Sequence, residues 1–175
     1  TFHFPISSVG ATVNLLLAAT LAEGESILQN AAIEPEIDNL VDYLISMGAK
    51  IQGRGTRTLI IQGVESLTPG KGETIADRIE AGTFLCGAVI TRGRVKVTHM
   101  VPEHIMSVLN VFKEIGCDVA IGDSWVEVDA RNKSLKPISV TTLPYPGFPT
   151  DLQAPLMATL ASIEGNSLIQ DTIYH

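Results

Sequence analysis

The stretch Gly10-Ala11-Thr12-Val13-Asn14-Leu15-Leu16-Leu17-Ala18-Ala19-Thr20-Leu21-Ala22-Glu23-Gly24 decides the fold, because its plan recurs twice along the chain. After it comes Ser26-Ile27-Leu28. The second copy is Arg78-Ile79-Glu80-Ala81-Gly82-Thr83 through Ala88-Val89-Ile90-Thr91-Arg92-Gly93, then Val95-Lys96-Val97. The third is Asp151-Leu152-Gln153 through Leu160-Ala161-Ser162-Ile163-Glu164-Gly165, then Ser167-Leu168-Ile169. Each predicts an apolar helix ended by glycine and followed by a strand, since glycine tolerates the left-handed dihedrals of a helix end. The copies are spaced by about 70 residues, an internal repeat of one supersecondary unit.

The first two copies continue alike. Pro35-Glu36 opens a second helix, Ile37 to Met47, closed by Gly48-Ala49; Pro102-Glu103 opens its counterpart, His104 to Ile115, closed by Gly116-Cys117. Leu40, Val41, Leu44 and Met47 share one helical face, as do Ile105, Val108, Leu109, Phe112 and Ile115. Strand pairs follow, Lys50-Ile51 with Thr58 to Gln62 and Asp118 to Ile121 with Trp125 to Val128. The predicted unit is helix–strand–helix–strand–strand. Its first helix, apolar nearly all round, is expected to be buried on most sides, and the amphipathic second helix to lie nearer solvent. Buried helices inside and sheets outside is the natural arrangement. Linkers are expected at Thr68-Pro69-Gly70-Lys71-Gly72 and at Leu143-Pro144-Tyr145-Pro146-Gly147-Phe148-Pro149. The prolines of the second predict an extended, stiff segment.

Composition narrows the function. The chain has 175 residues, 45% of them hydrophobic and 18% charged, against ~25% charged in an average globular chain. Mean hydropathy is +0.26, yet no apolar run approaches the ~20 residues that span a bilayer. Disorder, a membrane span and a collagen-like fibre are excluded. Net charge is −7, without the basic stripe that a phosphate-backbone binder carries, which argues against nucleic acid. Two cysteines make no disulfide framework, so a reducing, cytoplasmic setting is expected. No signal peptide is visible. The chain opens at Thr1 and stops at Ile173-Tyr174-His175, which reads as a strand. A piece of a longer polypeptide is expected.

Candidate chemistry gathers at helix starts. Ser7-Ser8-Val9-Gly10 precedes the first apolar helix, where small residues leave backbone N–H groups open and the helix dipole favours a phosphate or diphosphate; a plain serine cap explains the same residues. Pro149-Thr150-Asp151 opens the third helix. Asp151 reads as a cap, or as an ionised carboxylate on a rigid loop able to accept a hydroxyl proton. Asp77-Arg78-Ile79-Glu80 reads as a cap with a local ion pair, and Glu34-Pro35-Glu36 as a helix start complemented by acidic charge. His3, His99, His104 and His175 have no metal-ligand spacing. Cys86 and Cys117 read as buried free thiols. Gly53-Arg54-Gly55 and Gly122-Asp123 read as hairpin turns. No Walker A or dinucleotide fingerprint is present.

Four motifs carry a resemblance: Ser8 to Gly24; Asn30-Ala31-Ala32-x-Glu34-Pro35-Glu36-Ile37; Asp77 to Phe84; and Pro146-Gly147-Phe148-Pro149-Thr150-Asp151-x-Gln153-Ala154. In this order they resemble the UDP-N-acetylglucosamine enolpyruvyl transferase (1-carboxyvinyltransferase) family, over nearly the whole chain from Ser7 to Tyr174. The resemblance implies an α/β fold, the inside-out prism of helix–strand–helix–strand–strand repeats. It implies transfer of the enolpyruvyl group of phosphoenolpyruvate to the 3-hydroxyl of UDP-N-acetylglucosamine, with release of phosphate. That is the first committed step of peptidoglycan synthesis, hence of cell-wall biogenesis, cell shape, cell cycle and cell division. No cofactor and no metal are implied.

Residue by residue, the resemblance places Ser7, Ser8, Val9 and Gly10 against the UDP moiety, Asp151 near the sugar 3-hydroxyl, and Ile173 at a substrate-contacting backbone position. Glu34, Glu36, Asp77, Glu80 and Thr150 are implied to line the cleft between the two domains. Ile6 stands where the family commonly has a basic residue. The family's catalytic cysteine loop, its Lys-Asn pair and several arginines fall outside the match, so the chain alone is expected to be inactive without the remainder of the same transferase. Residues 1–73 are expected to be the last repeat of one prism domain, and 74–175 the first repeat and the start of the next of the second. A 3-phosphoshikimate 1-carboxyvinyltransferase-like enzyme and a non-catalytic nucleotide-sugar-binding relative are the alternatives.

Overall fold

Ser8 sets the first boundary. In the computed structural model, which describes residues 1–174, its extended backbone and its hydroxyl, accepting the Ala11 N–H at 3.3 Å, start helix α1 at Val9–Thr20. A side-chain acceptor there satisfies one of the N–H groups that a helix start leaves unpaired. The chain divides into two units, Thr1–Ile75 and the part from Ala76 onward.

The first unit runs β1 (Phe2–His3), α1, β2 (Glu25–Gln29), α2 (Pro35–Ser46), β3 (Lys50–Gln52) and β4 (Thr58–Gln62). Its sheet has the order β1-β2-β4-β3, with β1 parallel to β2 and the other pairs antiparallel. The register sets Leu28 opposite Leu59 and Ser26 opposite Ile61. Because side chains alternate along a strand, Leu28, Leu59 and Ile61 fall on one face. That face packs with Leu16 and Ala19 of α1 and Val41 and Leu44 of α2. Burying each such leucine contributes about 1.5–3 kcal/mol. Where β4 ends, the Gly63 N–H donates to Gly24 O at 2.9 Å. A Cβ on Gly63 would lie 1.5 Å from Ala22 O, so only glycine allows this approach.

The second unit runs α3 (Arg78–Ile90), β5 (Arg94–Thr98), a 3-10 turn at Pro102–Ile105, α4 (Met106–Ile115), β6 (Asp118–Gly122), β7 (Trp125–Asp129), β8 (Ser139–Thr141), a 3-10 turn at Thr150–Leu152, α5 (Gln153–Ala161) and β9 (Leu168–Gln170). β5-β7-β6 form an antiparallel sheet, and β8 pairs with β9 in parallel. Leu85, Cys86 and Val89 of α3 pack with Leu109 and Phe112 of α4, with Val126 and Val128 of β7, and with Leu152 and Leu156.

The predicted elements are present, with five corrections. Gly24, Gly93 and Gly165 do not end their helices. The helices stop at Thr20, Ile90 and Ala161, capped by Leu21, Thr91 and Ser162, and the glycines come later in the turn. In the second repeat the left-handed residue is Arg92, with φ 53°. The helix expected from His104 starts as a 3-10 turn and becomes α-helical only at Met106. The proline-rich segment is not extended: Gly147 N–H donates to Pro144 O and Leu143 N–H to Phe148 O, both at 2.9 Å, closing it into a turn. Ile173 and Tyr174 are not in a strand, because the Asp171 carboxylate accepts their N–H groups and turns the chain after β9; His175 lies outside the described residues. The first helices are not buried on most sides. Leu17 (45%) and Leu21 (57%) of α1, Phe84 (60%) of α3 and Met157 (54%) of α5 are exposed, because nothing in their own units packs on those faces.

Candidate functional site

In the first unit the candidate site is the start of α1. Ser7 and Val9 are half-buried, and Ser8 and Gly10 exposed. The N–H groups of Val9 and Gly10 precede the helical ladder and carry the positive end of its dipole. The first turn of α1 holds no acidic residue, whereas that of α2 has Glu36 and Asp38 and that of α3 has Glu80. Of these three helix starts, α1's therefore suits an anion. Ile6 beside it is 67% exposed and adds no charge. The buried Thr12 hydroxyl accepts the Ala32 N–H at 3.0 Å, and Asn30 Nδ2 donates to Phe4 O at 2.9 Å. These bonds stitch the segment leading to Glu34 to the opening of α1.

Glu34 caps α2 with its backbone but makes no side-chain capping bond. Among the described residues its buried Oε2 has no hydrogen-bond partner. A buried acceptor without a donor is uncommon and marks a place where a donor from outside the chain would be welcome. Glu36 is exposed and lines a groove of about 370 Å³ with Asn39, Leu40, Tyr43, Gly72, Glu73 and Thr74.

In the second unit the candidate site is the loop before α5. Asp151 does not cap the helix; Pro149 occupies the cap position of the 3-10 turn, and no side chain bonds there. Asp151 is exposed and none of its carboxylate oxygens is engaged by another described residue. Of the two readings of Asp151, the cap is not made, and among the described residues its carboxylate stays open. Its neighbour Thr150 donates its hydroxyl to Asp171 Oδ2 at 3.1 Å. Asp171 Oδ1 accepts the buried Thr142 hydroxyl at 2.7 Å and the Ile173 N–H at 2.9 Å. Asp171 therefore joins Thr150, which precedes Asp151, to Ile173. These hydrogen bonds, that of Thr142 foremost, lower its pKa to about 2. Sequence reasoning missed Asp171 and Thr142. Their only signal was a Thr and an Asp-Thr at the ends of the strands that pair as β8 and β9.

Asp77 caps α3, its Oδ1 accepting the Ile79 and Glu80 N–H groups at 2.8 and 3.0 Å. Glu80 is exposed. Arg78 lies over the Tyr145 ring at 5.5 Å, which ties the proline-rich turn to the start of α3. Cys86 and Cys117 are buried and unpaired. Burial raises both thiols, Cys117 to about 11, so neither is a nucleophile at neutral pH. Among the described residues no group of three His, Cys, Asp or Glu is placed to hold a metal, and no helix is long and apolar enough to cross a membrane.

The architecture is that of the enolpyruvyl transferases. The enolpyruvyl transferase NikO from Streptomyces tendae superposes with a TM-score of 0.80 at 27% identity, over 93% of this chain and 39% of its own. EPSP synthase from Acinetobacter baumannii shares the fold, with a TM-score of 0.58 at 20% identity, over 96% of this chain and 39% of its own. The α/β class that the resemblance implied holds. The chain belongs to the EPSP synthase (3-phosphoshikimate 1-carboxyvinyltransferase) family, which it matches over residues 1–174. Within it, the UDP-N-acetylglucosamine 1-carboxyvinyltransferase of Chlorobaculum parvum is 52% identical over 98% of the chain, and that of Acinetobacter baylyi 49% over 98%. The chain spans only 40% and 41% of those two relatives.

Proposed function

We propose that this chain works as part of an enolpyruvyl transferase that moves the enolpyruvyl group of phosphoenolpyruvate to the 3-hydroxyl of UDP-N-acetylglucosamine, releasing phosphate. The observation that carries the reading is the free carboxylate of Asp151, held on a tied loop in a chain about half identical to enzymes named for that transfer. Asp151 accepts the proton of the sugar hydroxyl as that oxygen bonds to C2 of phosphoenolpyruvate; the C2–O bond to phosphate breaks, and the proton leaves with the phosphate. Ser7, Ser8, Val9 and Gly10 hold the diphosphate of the sugar nucleotide on the open N–H groups of α1. The Ile173 N–H is already taken by Asp171, so the group Ile173 offers a substrate is its carbonyl oxygen. Glu34 and Glu36 of the first unit, and Asp77, Glu80 and Thr150 of the second, are the further polar residues of this reading, each placed on its own unit beside a helix start. The two units belong to successive domains of the transferase, and the rest of the polypeptide supplies the remaining ligands. The cellular setting is the cytoplasm and the role cell-wall synthesis, with its bearing on cell division.

The test is phosphate release from phosphoenolpyruvate with UDP-N-acetylglucosamine by the full-length polypeptide that carries this segment. Asp151→Asn is expected to lower turnover about 10²–10⁴-fold, the usual worth of a positioned base, with sugar-nucleotide binding little changed. Unchanged turnover rejects the role of Asp151. Turnover only with 3-phosphoshikimate as acceptor would reassign the substrate, and turnover with neither acceptor would leave a binding protein.

A further inference from the structure

We infer that Asp171 is a positioning residue that sets Asp151 and the Ile173 carbonyl in one geometry. The inference rests on the reading of Asp151 and Ile173 given above. One carboxylate gathers three separate stretches of chain: Thr142 after β8, Thr150 before α5, and Ile173 after β9. The bonds are divided between its two oxygens. Oδ2 serves Thr150, one residue from Asp151, while Oδ1 serves Thr142 and the Ile173 amide, with the Tyr174 N–H at 3.5 Å. Thr142 reinforces the junction, since its Oγ1 accepts the Thr172 N–H at 3.1 Å and its carbonyl accepts the Thr172 hydroxyl.

Every group facing Asp171 is a donor, so only a carboxylate serves them all. An asparagine keeps one acceptor oxygen and turns an NH2 group against either the Thr150 hydroxyl or the donors at Oδ1. The network is also local in its reach. The Leu152 side chain is fully buried in the core, which anchors the far side of Asp151. Thr150 is the polar tether on the near side. Loosening it lets the Asp151 carboxylate move while the core stays packed. A displacement near 1 Å at a reacting group costs about 10²-fold in rate.

The experiment is steady-state turnover in the full-length polypeptide for Asp171→Asn, Asp151→Asn and the double variant. Asp171→Asn is expected to lower kcat about 10–100-fold. In the Asp151→Asn background the same change is expected to cost less than about 3-fold, because a residue acting through another loses its effect when that other is gone. Losses that multiply in full would overturn the inference, as would wild-type kcat for Asp171→Asn beside a slow Asp151→Asn. Wild-type turnover for Asp151→Asn overturns the reading of the site itself, and this inference with it. Should Asp171→Asn not fold, Thr150 decides. Thr150→Val is expected to lower kcat with KM for the sugar nucleotide held, and Thr150→Ser, which keeps the hydroxyl, to restore it; equal rates for the two variants overturn the assignment.

Discussion

Among the described residues, Asp171 holds four hydrogen bonds and has no cationic partner. Its pKa in the folded chain is about 2, below the ~3.9 of an unfolded aspartate. The unfolded chain therefore binds its proton first as pH falls. The stability Asp171 contributes is complete above about pH 4 and is lost between there and about pH 2. Thermal unfolding of wild type and Asp171→Asn should differ most near neutrality, and the gap should narrow across that window. A gap independent of pH would show that the carboxylate's charge is not what the donors need. This residue was not legible in the sequence. An aspartate after a short strand is ordinary turn chemistry, and its partners Thr142 and Thr150 are 29 and 21 residues away along the chain. For Asp151 the sequence left two readings open, a cap and an ionised carboxylate on a rigid loop; that Pro149 takes the cap position instead depended on the backbone of the preceding turn.

At the scale of elements, the closeness of α3 to the turn before α5 is set by Gly82. A Cβ there would lie 2.4 Å from Cδ1 and 3.1 Å from Cδ2 of Leu152, a fully buried side chain that would have to shift. Glycine to alanine inside a helix ordinarily stabilises by about 0.5–1 kcal/mol. Overpacking costs about 1–3 kcal/mol, so Gly82→Ala is expected to lower Tm despite the better helix former. Because Leu152 follows Asp151, the same variant should also slow the proposed transfer by the full-length polypeptide, and a raised Tm would show that Leu152 yields. Helices and strands were largely readable here. The repeat of apolar runs, the Pro-Glu helix openings and the hairpin glycines each act within a few residues. Gly116 caps α4 in left-handed backbone as the sequence predicts, but the ends of the first helix of each repeat were not readable. Left-handed backbone falls at Gly24 and Gly165 in two repeats but at Arg92 in the other, and glycine content alone does not say where the last helical hydrogen bond is made. The turn at Leu143–Pro149 escaped for a related reason: proline fixes φ locally, but two backbone hydrogen bonds close the loop.

At the scale of the molecule, each unit has one well-filled core and an apolar helix side left open, on α1 in the first unit and on α3 and α5 in the second. In the first unit that side is the row Leu17 and Leu21, 45% and 57% exposed. Composition announced the apolar helix but could not tell which of its sides had a partner within 175 residues. Replacing both leucines with lysine should change the stability of this chain alone by no more than about 0.5 kcal/mol per site, as for other surface positions. Sedimentation should show less self-association of the variant. In the full-length polypeptide, where the remaining chain is expected to cover the row, the same pair should cause a large loss of stability. Equal small effects in both settings would show that the row stays open to water.

Both cysteines sit in the second unit, buried and unpaired, and the first unit has none. A maleimide or iodoacetamide added to the native chain should therefore find no ready target. Rapid alkylation of the full-length polypeptide reports on sulfur elsewhere in it, with this segment as a silent background. When labelling of Cys86 and Cys117 does begin, it times the opening of the second unit alone, giving an unfolding clock that requires no engineered probe.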